Sequence, residues 1–205
     1  NDVTIEIKNT RHGPIINNVI DGMSNTNPIA MSWIYTNSDV HLLKALYTIS
    51  RATKMEDVKK GASLISSPGL NIMYGDAKGN IAWWAAAKLY KLKSNSSRKL
   101  ILNGATGEDD IAEYLDFSQN PMAENPSWNY VYSANNQPDT IANVLYPGYY
   151  LPENRAKRIV HLLQPKNNWS KQGFEAMIND VTTSVSPTIV KELTSIIKQN
   201  SLSKF

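Results

Sequence analysis

The alternation of apolar and polar side chains predicts strands in the first part of the chain. Residues 3–8 alternate β-branched and polar positions, and residues 15–16 and 31–35 predict further strands. From residue 40 the apolar positions fall three or four apart, which predicts a helix with one buried face. The chain is therefore expected to change from strands to helix near residue 40.

A second helix is predicted after Thr53. Thr53 and Glu56 have the spacing of a capping box, in which the hydroxyl accepts from the N–H three residues on and the glutamate accepts from the cap N–H. The apolar positions keep a helical spacing until Pro68 ends the pattern. The two helices form a predicted pair at about residues 40–66.

The clearest hairpin joins residues 70–76 to residues 81–86. Between them, Gly79 and Asn80 tolerate the positive φ that a tight turn requires. The flanking segments are rich in apolar, aromatic and β-branched residues, as paired strands are. Two antiparallel strands are therefore expected here.

The patterns that follow the hairpin are weaker. Residues 100–102 predict a short strand, residues 107–126 a long surface loop, and residues 128–132 another strand. The C-terminal part predicts three helices, at residues 154–163, 170–178 and about 187–200.

Strands, helices, strands and helices in this order predict an α+β fold. The whole chain, residues 1–205, is expected to form one unit. Residues 1–138 are expected to be mainly strands around the helix pair, and residues 139–205 mainly helical.

Composition narrows the classes of function. Of the 205 residues, 41% are apolar and 19% are charged, which suits a folded chain. The net charge of +3 is scattered, so nucleic acid is not an expected partner. The longest apolar run, residues 81–87, is far shorter than the roughly 20 residues that cross a bilayer, so no membrane span is expected. The sequence has no cysteine, which excludes disulfides, thiolate metal sites and a cysteine nucleophile.

Common catalytic motifs are missing from the sequence. It contains no Gly-x-Ser-x-Gly, no His-Glu-x-x-His and no Gly-rich phosphate loop, and its three histidines are expected to be structural. The acidic run 108–110 has oxygens for a hard cation such as Ca²⁺, although such a run is more often a solvated turn. Trp83, Trp84 and Tyr90 have the rings for a stacking platform. Adjacent strand residues face opposite sides, however, so core packing of one tryptophan is favoured.

Residues 133–138 are the most informative stretch. Asn135 and Asn136 stand directly after the predicted strand of aromatic residues and before Pro138. An Asn amide held at a strand end can donate a hydrogen bond to charge developing on a substrate oxygen, as in an oxyanion hole. The same pair can instead simply start a turn. Residue chemistry alone favours the turn and leaves the oxyanion interpretation open.

Segments spread along the chain form an ordered series. They are TRHGPI at 10–15, Trp33 followed by LLKAL at 42–46, NIMYGDAKGNI at 71–81, SANNQP at 133–138, NRAKRI at 154–159, and Asp180 with Ser184. In this order they resemble the penicillin acylase family of N-terminal-nucleophile amidohydrolases, which includes penicillin, cephalosporin and acyl-homoserine lactone acylases. The segment at 71–81 is the most specific, and the resemblance covers about residues 10–195.

The resemblance implies an αββα-type fold, with antiparallel strands and flanking helices, and hydrolysis of a small linear amide. In this family, autocatalytic cleavage of a precursor leaves a serine at the N-terminus of a subunit. This serine attacks the amide. Its own α-amine, with a pKa of about 7.7–8.0, takes the hydroxyl proton. Asn135 aligns with the family's oxyanion-hole asparagine, and Arg155 aligns with an arginine that orients the site.

The same resemblance implies that these residues supply only part of a site. The chain begins with Asn1, which has neither hydroxyl nor thiol. The family's nucleophile, backbone oxyanion donor and most of its calcium site precede the aligned segment. We therefore expect an internal fragment of a large subunit that is inactive alone and binds no cofactor, with Ca²⁺ a candidate only for the parent protein. The expected partners are the small subunit and the rest of the large subunit, docked on exposed apolar surface in a periplasmic or secreted enzyme.

Two other functions fit parts of the sequence. A catalytically inactive family relative, acting as a binding or scaffold module, would keep the same hairpin and helices. An unrelated secreted ligand-binding module would account for 10 tyrosines and 5 tryptophans, but not for the ordered series of segments. The N-terminal residue of the mature parent subunit distinguishes the inactive relative from the enzyme.

Overall fold

The computed structural model describes residues 4, 6–23, 26–37, 39–138 and 150–199. Its strands are β1 Asn9–Thr10, β2 Gly13–Pro14, β3 Leu70–Gly75, β4 Ile81–Ala86, β5 Tyr90–Leu92, β6 Ile111–Tyr114 and β7 Met122–Glu124. Its helices are α1 Ile34–Asn37, α2 Leu42–Ser50, α3 Met55–Ala62, α4 Asn154–Leu163, α5 Lys171–Ile178 and α6 Ser186–Gln199. Helices combined with small antiparallel sheets confirm the predicted α+β class.

The largest sheet of the described residues has three antiparallel strands in the order β3-β4-β7. β3 and β4 form the predicted hairpin, with Leu70 opposite Ala86 and Gly75 opposite Ile81. Gly79 lies in the turn at a φ of +88°, a left-handed value that glycine adopts without steric cost. The hairpin prediction is confirmed.

Helices α2 and α3 pack against each other and against this sheet. Ala45 of α2 and Ala62 of α3 are fully buried in one cluster, and Val58 of α3 packs with Trp84 of β4 in another. The small alanine side chains let the two helices approach closely. Trp84 is fully buried, whereas Trp83 on the opposite face is only partly buried, which confirms that one of the two tryptophans belongs to the core.

The predicted helix pair is confirmed, but the start of α3 differs from the predicted capping box. Lys54 is the N-cap residue, and its side chain makes no capping hydrogen bond. Asp57, rather than Glu56, reaches back, and its Oδ2 accepts from both the N–H and the hydroxyl of Thr53 at 3.0 Å. These hydrogen bonds lower the pKa of Asp57. The acidic partner is therefore one residue later than predicted.

In the part of the chain that the structure describes, the strands predicted at residues 3–8 and 15–16 do not form at those positions. The first ladder pairs β1 with β2, and the described residues of 3–8 form no strand; positions 3 and 5 lie outside the described residues. The Lys8 carbonyl accepts a hydrogen bond from Ile15 N–H at 2.8 Å, although Lys8 is not part of a strand. Ile15 itself forms an isolated bridge to Ala30. A strand needs a partner for its backbone groups, and alternation alone does not provide one.

The strand predicted at residues 31–35 is also wrong. Helix α1 begins at Ile34, and Thr36 donates both its N–H, at 3.0 Å, and its hydroxyl, at 2.8 Å, to the Trp33 carbonyl. These local hydrogen bonds replace the inter-strand bonds that a strand would make. The rings of Trp33 and Tyr35 then lie 4.9 Å apart, centroid to centroid, rather than on a sheet face.

Between the hairpin and the C-terminal helices, three predictions are wrong. Residues 100–102 form no strand, and residues 107–126 contain two strands rather than a plain loop. β6 pairs with β5, and β7 pairs with β4, so both strands depend on partners distant in sequence. Residues 128–132 form no strand, and no described strand pairs with them. The turn-rich segment at 139–149 lies outside the described residues.

The three C-terminal helices confirm the predicted ones, with ends that agree to about one residue where they are described. Helix α6 carries a row of apolar side chains, each about half exposed, which we call the α6 stripe: Ile189, Val190, Leu193, Ile196 and Ile197. None of the described helices is both long enough and apolar enough to cross a membrane.

Candidate active site

Asn135 lies in a backbone conformation that few residue types adopt. Its φ is +57°, in the left-handed region, where asparagine is enriched because its short polar side chain makes local hydrogen bonds. Ala134 before it is buried, while Asn135 itself is exposed. The Asn135 carbonyl accepts from Leu151 N–H at 2.7 Å. The backbone is thus fixed while the side chain projects outward.

Asn136 has a different and local role. Its Oδ1 accepts from the Ala134 N–H at 3.2 Å, and its Nδ2 donates to the Gln137 carbonyl at 3.3 Å. These are the side-chain-to-backbone hydrogen bonds of a turn-forming asparagine. Asn136 therefore stabilises the turn, and the side chain of Asn135 takes no part in these two hydrogen bonds.

Arg155, in the first turn of α4, contacts Asn135. Its Nη2 donates to Asn135 Oδ1 at 2.8 Å and to the Ala134 carbonyl at 2.6 Å. A guanidinium has only donors, so the amide atom that faces it must be the oxygen. Asn135 Nδ2 therefore points away from Arg155, and none of the described residues accepts a hydrogen bond from it. The structure brings the two predicted site residues into direct contact.

Helix α4 is held by a second arginine, which the sequence analysis did not single out. Arg158 forms a fork with Asp180, with Nη2 to Oδ2 at 2.6 Å and Nε to Oδ1 at 3.2 Å. The hydrogen bonds from Arg158, followed by one from Thr182 N–H, lower the pKa of Asp180 to about 2. The sequence feature that could have pointed to Arg158 is its position about one helical turn after Arg155 in the NRAKRI segment.

A cleft of about 510 Å³ lies between residues 121–138 and helix α4. Four aromatic residues are part of its lining: Trp83, Trp128, Tyr130 and Tyr132. Asn136 also lines the cleft, but Asn135 and Arg155 do not. The cleft therefore adjoins the Asn135–Arg155 pair without including it.

The TRHGPI segment has a structural role in the described residues. Arg11 donates to Asp110 Oδ2 at 2.8 Å and to the Gly104 carbonyl at 3.0 Å, and His12 Nε2 lies 3.1 Å from the same carbonyl. Burial would raise the pKa of Asp110, but Arg11, with Lys93 nearby, lowers it. The segment thus ties β1 and β2 to the loop before β6.

The carboxylates of the acidic run 108–110 all have partners among the described residues, and Glu108 and Asp109 both accept from Asn103. Asp109 accepts from the hydroxyl of Ser94 and from Asn103 N–H, while Asp110 pairs with Arg11. In the described part of the chain, no three His, Cys, Asp or Glu side chains are grouped as they would be around a metal ion. The hydrogen bonds of Asp109 and Asp110 are those of an ordered loop.

Comparison with known proteins agrees with this architecture. A thermostable penicillin G acylase from Alcaligenes faecalis has a similar solved structure, with a TM-score of 0.62 and 23% sequence identity. The match covers 83% of this chain and 30% of that chain, so the present chain corresponds to less than a third of that acylase chain. At this identity the match supports a common fold.

The family model described as penicillin amidase matches residues 1–204. The match therefore includes the hairpin at 71–81, the Asn135 segment and the Arg155 helix. Because it spans nearly the whole sequence, the chain belongs to the penicillin amidase family.

Proposed function

We propose that the chain is part of an amidohydrolase in which Asn135 is the side-chain donor of the oxyanion hole. The observation that carries this proposal is the contact between Arg155 Nη2 and Asn135 Oδ1. It fixes the orientation of the amide, so that an N–H donor is in place before any charge develops on a substrate. Electrostatic stabilisation of this kind is effective because the donor does not reorganise during the reaction.

The proposed reaction is acyl transfer followed by hydrolysis. A serine of the parent enzyme that does not belong to these 205 residues attacks the amide carbonyl carbon, and its hydroxyl proton passes to its own α-amine. The carbonyl oxygen becomes an anion that Asn135 Nδ2 and a backbone N–H stabilise. The C–N bond breaks as the leaving amine takes the proton, and water then releases the acid from the acyl-enzyme. No residue of this chain aligns with the nucleophile, so we expect the isolated 205 residues to hydrolyse no amide.

The expected partner is the remainder of the parent acylase. The α6 stripe supports this proposal, because five large apolar side chains on one helix face are each about half exposed. Exposed apolar patches of this kind mark interaction surfaces. A periplasmic or secreted location, and Ca²⁺ bound elsewhere in the parent, are proposals from the family resemblance.

The test uses the parent enzyme and the substitution Asn135→Asp. Aspartate retains an oxygen for Arg155 and tolerates the left-handed φ, but it removes the N–H donor. We expect kcat to fall about 10²- to 10³-fold, as for other oxyanion-hole donors. The substrates are p-nitroanilides with phenylacetyl, glutaryl and octanoyl groups, because the acyl preference is open.

The matched control is Asn129→Asp. Asn129 is also left-handed, at a φ of +61°, but lies outside the Arg155 contact. We expect its kcat to stay near that of the wild type. A parent subunit that begins with neither Ser, Thr nor Cys overturns the proposal in favour of a non-catalytic scaffold. Equal kcat for Asn135→Asp and wild type shows that Asn135 is not the oxyanion donor.

A further inference from the structure

Among the described residues, the ion pair between Arg158 and Asp180 joins helix α4 to the segment between α5 and α6. Their side chains are only 24% and 17% exposed, and the guanidinium meets the carboxylate through two nitrogens. A two-nitrogen fork fixes direction as well as distance, unlike a single flexible contact. The other ion pair on this helix, Lys157 with Glu153, links residues one turn apart and cannot fix the helix relative to its surroundings.

Asp180 is itself held in place. It follows the end of α5, and its Oδ1 accepts from Thr182 N–H at 2.8 Å. The Asp180 N–H donates to the Met177 carbonyl at 3.2 Å. These hydrogen bonds hold the carboxylate in place in the connection between α5 and α6. A carboxylate held in this way can determine the position of the helix whose arginine binds it.

Arg158 and Arg155 lie three residues apart on α4, on neighbouring parts of the same helix face. Arg155 projects to Asn135, and Arg158 projects to Asp180. A change in the rotation or the axial position of α4 would move Arg155 Nη2 away from Asn135 Oδ1. Displacements of about 1 Å at a catalytic group can lower rates by about 100-fold.

We infer that Arg158 and Asp180 are positioning residues, which hold α4 so that Arg155 orients the Asn135 amide. This inference rests on the proposed function, since its effect on turnover requires Asn135 to be the oxyanion donor. It adds a residue more than 40 positions from Asn135 in sequence to the determinants of the site. Neither residue of the pair lines the cleft.

The experiment measures kcat and KM of the parent enzyme with the same p-nitroanilides. For Asp180→Asn we expect kcat to fall about 10- to 100-fold with little change in KM, because the transition-state contact is displaced. Arg158→Lys is the milder variant, which keeps the charge but loses the fork, and we expect an intermediate kcat. The control is Glu175→Gln, which removes an exposed carboxylate of α5 paired with Lys171 and should leave kcat unchanged.

A double-mutant cycle with Asn135→Asp distinguishes positioning from a general loss of folding. If the pair acts through Asn135, Asp180→Asn has little further effect on kcat once the Asn135 donor is gone. An equal loss in both backgrounds, or a lower melting temperature with an unchanged kcat, overturns the inference.

Hydrogen exchange of the parent enzyme gives a readout that does not depend on turnover. We expect Asp180→Asn, but not Glu175→Gln, to accelerate exchange of the Leu151 N–H, which donates to the Asn135 carbonyl. Unchanged exchange in this region overturns the inference. If Asn135→Asp alone leaves kcat unchanged, the proposed function fails, and hydrogen exchange alone decides whether the pair positions α4.

Discussion

A Cβ placed on Gly13 would lie only 2.2 Å from the carbonyl oxygen of Met31. Gly13 also has a φ of +132°, in the region where side chains are strained. We expect Gly13→Ala to lower the free energy of unfolding by roughly 2–4 kcal/mol, since backbone strain and an unyielding backbone contact add together. Chemical denaturation of the protein measures this change.

Gly22→Ala is the matched control for this prediction. Gly22 also has a positive φ, +78°, but a Cβ there would meet no atom of the described residues within 4 Å, its chain neighbours aside. Only the conformational cost applies, so we expect a loss of about 1–2 kcal/mol. Equal losses for the two variants would show that the contact with Met31 is relieved by local movement.

Arg155→Met tests the orientation of the Asn135 amide directly. Methionine keeps much of the apolar stem but removes the donors to Asn135 Oδ1 and to the Ala134 carbonyl. A hydrogen bond to a charged group contributes about 1.5–3 kcal/mol, so we expect kcat of the parent enzyme to fall about 10- to 100-fold. Steady-state kinetics would contradict the prediction if only KM changed, because that result indicates lost substrate binding.

Glu124 is expected to stabilise the contact between α3 and the β3-β4-β7 sheet. Its Oε1 accepts from the indole N–H of buried Trp84 at 2.6 Å and from Lys59 Nζ at 2.8 Å. Burial would raise the pKa of Glu124, but these two donors lower it. Glu124→Leu leaves the buried indole N–H unpaired, which is expected to cost about 1–3 kcal/mol of unfolding free energy.

Glu113→Leu is the control for Glu124→Leu. Glu113 pairs with Lys91 at 3.1 Å, but its side chain is 60% exposed. Exposed ion pairs contribute about 0–1 kcal/mol, so this variant should unfold at nearly the wild-type denaturant concentration. A similar loss in both variants would mean that the Trp84 hydrogen bond adds little.

The local patterns explain which parts of the fold could be predicted. Helix α2 and the β3-β4 hairpin depend on neighbours a few residues apart, so the spacing of apolar residues and the turn at Gly79 were sufficient. The alternation at residues 31–35 misled because Thr36 bonds back to Trp33. β7 was missed because it is a strand only through pairing with β4, which lies about 40 residues earlier.

The candidate site, too, could be predicted from the sequence only in part. The turn at Asn135 and Asn136 was predictable from the sequence, but the strand predicted directly before it does not form. Residue chemistry alone did not distinguish Asn135 from Asn136. The structure separates the two, because Asn136 bonds to its own turn while Asn135 meets Arg155, 20 residues away. The ion pair between Arg158 and Asp180 joins residues 22 positions apart in sequence, and no local pattern predicts it.

Asp76 is expected to make folding stability depend on pH in the acid range. Its Oδ2 accepts from Asn80 Nδ2 at 2.8 Å, and its Oδ1 accepts from the N–H groups of Asn80 and Lys78 at 2.9 Å. These hydrogen bonds, with the Asn80 side chain contributing most, lower the pKa of Asp76 to about 2. The unfolded chain titrates near the reference value of about 3.9.

Because the folded pKa is the lower one, ionised Asp76 stabilises the fold fully above about pH 4, and this contribution is lost as the pH falls towards 2. Thermal unfolding of wild type and Asp76→Asn, from about pH 2 to 6, should therefore give melting temperatures that differ most at the upper end and converge at the lower end. Asn80→Ala removes the largest cause of the shift, so its pH dependence should be weaker than that of the wild type. A difference between wild type and Asp76→Asn that stays constant over this range would show that the Asp76 carboxylate gains nothing from the hairpin turn.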